Sequence, residues 1–116
     1  MRWLIGTALA LALTGVGLAQ PSAELTPHER RGEALLARLC AGCHAIGRTG
    51  ISTHPEAPLF RALSRRYKIE ALEEALGEGL ISGHPDMPEF RFSAEEVGAV
   101  IAYLNAIQER PREGAR

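Results

Sequence analysis

Both cysteines of the chain lie in one pentapeptide, Cys40-Ala41-Gly42-Cys43-His44. Two thiols three residues apart, with an imidazole directly after the second, stay close together in any fold. That leaves three uses for them. They can close a small disulfide, share a structural metal, or serve one group that needs all three side chains.

The start of the chain sets the compartment. Residues 1–19 open with Arg2, continue through an apolar run from Trp3 to Leu18, and end in Gly17-Leu18-Ala19 before Gln20. This is the layout of a secretory signal peptide, with cleavage expected after Ala19. The apolar run is shorter than the roughly 20 residues that cross a bilayer, and Gly15 and Gly17 interrupt its end. The mature chain, 20–116, is therefore expected to be periplasmic or secreted and to have no membrane span. Cleavage also removes Arg2, so the formal charge moves from −1 to −2, a balance that implies neither nucleic acid nor a membrane surface as partner. Met87 becomes the single methionine, and no tryptophan remains. Free thiols are unusual in an exported protein.

One small domain is expected over 20–116, with its core at about 26–107 and a polar tail at 110–116. Thr26, Pro27 and Glu29 form a capping-box start. Gly32, Leu35, Leu36, Leu39 and Cys43 then follow at helical spacing. Residues 45–58 hold Gly47, Gly50, Pro55 and Pro58 and read as loop. Leu59, Phe60 and Leu63 predict a short helix before Tyr67. Ile69, Leu72, Ala75 and Leu76 predict an amphipathic helix ended by Gly77 or Gly79. Pro85 and Pro88 exclude regular structure around Met87. A second capping box, Ser93 and Glu96, opens a last helix that buries Val97, Val100, Ile101, Leu104 and Ile107. No stretch alternates with period two, and no internal repeat is evident. The fold class is all-α, with three to four short helices.

A thiol-redox pair would sit on a βαβ scaffold, which this pattern lacks. A structural zinc site takes about four nitrogen or sulfur ligands, and His28, His54 and His84 show no paired spacing. Cys-x-x-Cys-His is the attachment signal for a c-type haem: two thiols form thioethers with the vinyl groups, and the following histidine faces the iron. That reading uses Cys40, Cys43 and His44 together and agrees with export.

With these residues in view, the chain resembles the small class I c-type cytochromes over about Thr26 to Ile107. Gly32 and Leu36 stand before Cys40 as in that family's first helix, and Val100 to Ile107 looks like its last. The resemblance implies three to four short helices wrapped around one covalently attached haem c. It makes His44 the proximal iron ligand and Met87, followed by Pro88, the distal one. His84 in the same loop is the alternative. A proline carbonyl that orients the proximal histidine is implied at Pro58, with Pro55 as alternative. Tyr67, Arg48, Arg65 or Arg66 are candidates for the propionates. The expected pocket walls are Ile46, Leu59, Phe60, Leu63, Leu76, Ile81, Phe90 and Val97.

The function implied is one-electron transfer, not catalysis, by a free carrier or by the cytochrome subunit of a redox complex, with redox proteins as donor and acceptor. A haem enzyme or gas sensor with a vacant sixth position is the alternative. A non-haem thiol oxidoreductase is a third.

Overall fold

The computed structural model describes residues 23–110 and Gly15; the rest of segment 1–19, expected above to be a signal peptide, and the polar tail 111–116 lie outside the described residues. Helix α1 spans Pro27–Leu39, α2 spans Glu73–Glu78 and α3 spans Ala94–Ile107, with 3-10 turns at Phe60–Arg65 and Ile69–Leu72 between α1 and α2. Among the described residues the only β pairing is an isolated antiparallel bridge between Leu80 and Phe90.

Both long helices begin where the capping boxes predict. Thr26 accepts from the backbone of Glu29 while the Glu29 carboxylate accepts from Thr26, and Ser93 and Glu96 repeat the arrangement. These reciprocal bonds satisfy N–H groups that the first turn leaves without partners. The middle of the chain differs from its pattern. Ile69 to Leu76 does not form one continuous helix but a 3-10 turn followed by a short α-helix. Gly79 ends it with φ of 132°, a backbone conformation open to glycine. The apolar residues still face inward, with Ile69 and Leu76 buried. Periodicity records burial, and a 3-10 turn buries the same side as an α-helix over so short a length.

The frame is the crossing of α1 on α3, the most extensive contact between elements. Leu35 and Leu36 of α1 and Val97, Val100, Ile101 and Leu104 of α3 are buried in one common core. The helices meet at Gly32, where a β-carbon would lie 2.1 Å from the Ala99 carbonyl oxygen. Tyr103 is 1 % exposed, and its hydroxyl donates to the Ile46 carbonyl at 2.8 Å, pinning the loop after the cysteines onto α3. No helix among the described residues is long and apolar enough to cross a membrane.

Candidate functional site

The cysteine motif sits where α1 runs out. Cys40 still bonds through its N–H to the Leu36 carbonyl at 2.8 Å. The chain then tightens: the N–H groups of Cys43 and His44 both donate to the Cys40 carbonyl, at 3.2 and 2.9 Å. One turn therefore carries both thiols and the imidazole to the same cavity. Both thiols are free, Cys40 half-buried and Cys43 exposed. Burial pushes the Cys40 thiol up to about 11. That is the opposite direction from the lowered value that makes a cysteine a reactive nucleophile.

The imidazole of His44 is aimed by the loop that follows. Its Nδ1 lies 2.9 Å from the Pro58 carbonyl. A carbonyl only accepts, so the ring proton sits on Nδ1 and the lone pair of Nε2 is free for a metal. The Phe60 ring packs against the imidazole at 4.7 Å between centroids. Four bonds hold the loop in this form: Ala45 N–H to Ser52 Oγ at 3.0 Å, Thr53 Oγ1 to the Gly42 carbonyl at 2.6 Å, His54 N–H to the Cys43 carbonyl at 3.2 Å and Phe60 N–H to the Ala45 carbonyl at 3.0 Å.

Cys40, Cys43, His44, Pro58, His84 and Met87 all line one cavity of about 630 Å³, within the range of small-molecule and cofactor sites. Of the residues expected on its walls, Phe60, Leu63, Leu76, Ile81 and Phe90 are there; Ile46, Leu59 and Val97 are not. Val97 is instead buried in the core. Leu36, Leu39, Leu72, Leu80, Phe92, Val100 and Leu104, not anticipated as walls, complete the apolar lining. The loop carrying Met87 is closed at its base by the Leu80 N–H bond to the Phe90 carbonyl at 2.7 Å and the Phe92 N–H bond to the Leu76 carbonyl at 2.9 Å. Of the propionate candidates only Tyr67 reaches the cavity. Arg48 donates to the Ala106 carbonyl, and Arg65 pairs with Glu109.

His84 and His54 are both engaged. His84 faces the Glu56 carboxylate through Nε2 and accepts the Asp86 N–H at Nδ1, while His54 Nε2 lies 3.1 Å from Asp86. The sequence carries a signal for this arrangement. His54-Pro55-Glu56-Ala57-Pro58 and His84-Pro85-Asp86-Met87-Pro88 share the pattern His-Pro-acid-x-Pro. Contrary to the expectation of no repeat, the two segments echo one another and bond crosswise.

An apolar cavity with two free thiols and an oriented imidazole fits a haem: the walls suit the macrocycle, the thiols suit its vinyl groups, and a neutral imidazole suits its iron. The class is that of c-type cytochrome domains. Residues 27–104 match the family model for cytochrome c oxidase, cbb3-type, subunit III, and the chain belongs to that family. No curated protein and no solved structure gives a match. The domain is thus an all-α c-type cytochrome with covalently bound haem c, which transfers electrons with redox partner proteins.

Proposed function

We propose that the chain is an exported one-electron carrier domain whose haem is attached through Cys40 and Cys43 and ligated by His44 and Met87. The observation that carries this reading is the division of labour among the histidines and the methionine at the cavity. His44 is held with Nε2 free, His84 has both ring nitrogens engaged, and Met87 alone offers a donor without another partner to leave.

When bound, the haem supplies one-electron exchange between ferrous and ferric iron. The chain's own groups tune and protect that exchange. The Pro58 carbonyl fixes the orientation of His44 and raises its basicity as a ligand. The Met87 thioether is soft, and the apolar walls disfavour the extra charge of the ferric state, so both favour the reduced form. With His44 and Met87 each committed to the iron, no position is left for oxygen or substrate, which separates electron transfer from catalysis. Removal of residues 1–19 on export delivers the chain to the periplasm or beyond. The family description, an oxidase subunit, favours the role of an electron-passing subunit in a larger complex over that of a free carrier.

The test is carbon monoxide added to the reduced protein. An unchanged spectrum, with a redox titration that fits one electron, supports a filled sixth position. Ready binding would mean that the position is vacant and that the protein is a haem enzyme or gas sensor.

A further inference from the structure

The crosswise pairing of the two His-Pro-acid-x-Pro segments collects His54, Glu56, His84 and Asp86, metal-binding side chains that line the cavity assigned to the haem but take no part in its attachment. His54 donates from Nε2 to Asp86 Oδ2 at 3.1 Å, and His84 donates from Nε2 to Glu56 Oε2. The tautomers follow from the backbone. The Glu56 N–H points at His54 Nδ1 and the Asp86 N–H at His84 Nδ1, both at 3.2 Å, so each ring proton lies on Nε2. The two rings stand edge to face with centroids 5.3 Å apart. Ligand atoms of His54, His84 and Asp86 all fall within 4.8 Å of one another. Both imidazoles are partly exposed, at 25 % and 34 %, at the edge of that cavity.

We propose that His54, His84 and Asp86, with Glu56 in reach of a fourth position, form a site for a divalent transition-metal ion of the zinc class, separate from the haem iron. The inference rests on Met87 and not His84 meeting that iron. Two imidazoles with carboxylates suit zinc, whereas calcium and magnesium are bound through oxygen. Two carboxylates also neutralise the incoming charge.

Bonds of about 2.1 Å in a tetrahedron set ligand atoms about 3.4 Å apart, so the 4.8 Å spread has to close by roughly 1.4 Å. Gly83, at φ of 76° directly before His84, lies in the irregular loop that would make that movement. At each histidine the ion takes the lone pair of Nε2. The proton there shifts through solvent to Nδ1, so both 3.2 Å bonds from the backbone and both Nε2 bonds to the carboxylates are given up, a loss that the four bonds to the ion have to exceed. No electron moves, because zinc has no redox chemistry. The bound ion would tie the segment ending in Pro58, which orients His44, to the segment carrying Met87.

The experiment is calorimetric titration of the haem-loaded protein with Zn²⁺ after chelator treatment. One ion per chain is expected. His54→Ala and Asp86→Asn should each weaken binding by about tenfold or more, while His28→Ala, exposed and outside the cluster, should leave it unchanged. Should His54→Ala fail to load haem, Asp86→Asn decides. Absence of Zn²⁺ uptake with methionine ligation intact would overturn the site, as would uptake that survives Asp86→Asn. Absence of uptake in a protein whose haem spectrum changes in His84→Ala would put His84 on the iron; there the reading of Met87 has failed, and the zinc site with it.

Discussion

His84 is bound through Nε2 to the carboxylate of Glu56, a residue of the opposite segment, and accepts the Asp86 N–H at Nδ1. To meet the iron, its imidazole would have to leave one of these partners, whereas Met87 leaves none. Oxidised protein is therefore expected to show the weak near-infrared band of a sulfur-to-iron bond. Met87→Ala should abolish the band and lower the reduction potential by about 60 mV or more, a decade in the ferrous-to-ferric ratio for one electron. His84→Ala should leave both nearly unchanged. A wild type without the band, and a spectrum that responds to His84→Ala, would make the haem bis-histidine.

Much of this was legible in the chain because the signals are local. The capping boxes at Thr26 and Ser93 mark their helices within a residue, since a cap is satisfied by atoms three positions away. Cys-x-x-Cys-His is local in the same sense. The crosswise pairing of His54 with Asp86 and of His84 with Glu56 was not legible, although its five-residue pattern is printed twice. Each half is an ordinary proline-rich loop, and only the fold brings the two together. The 3-10 turn at Ile69–Leu72 escaped for another reason: apolar spacing fixes which face is buried, not how tightly the backbone winds.

The export reading concerns residues 1–19, and it is checked by mass. Purified protein from the native host should begin at Gln20 and appear in the soluble fraction. Full-length chain found only in washed membranes would make the segment an anchor.

The helix crossing predicts opposite outcomes at two glycines. At Gly32 a β-carbon would lie 2.1 Å from the Ala99 oxygen and 2.9 Å from the Tyr103 β-carbon, so the backbones themselves must part. Overpacking of this kind costs about 3 kcal/mol, partly offset by the roughly 1 kcal/mol that alanine gains over glycine in a helix. Gly32→Ala should therefore lose about 2 kcal/mol or more in denaturant unfolding, at unchanged m-value. At Gly98 the added carbon meets only His28 at 3.7 Å, an ordinary contact. Gly98→Ala should gain up to about 1 kcal/mol.

Tyr103 gives the chain a dependence on alkaline pH. Burial, with help from the negative charge of Glu33 and against the pull of Arg48, raises its phenol above the ordinary value. The folded state thus favours the neutral hydroxyl, which donates to Ile46. Below about pH 10 the phenol is protonated in both folded and unfolded chains, and it makes no pH-dependent difference. Above that the unfolded chain ionises first, so stability falls with rising pH until the folded phenol titrates as well. Tyr103→Phe should remove that part of the alkaline loss. It should also cost about 1 kcal/mol at neutral pH, because the Ile46 carbonyl loses its donor. Unfolding midpoints at about pH 8 and about pH 11 check both effects. An alkaline loss of equal size in wild type and variant would show that Tyr103 does not carry it.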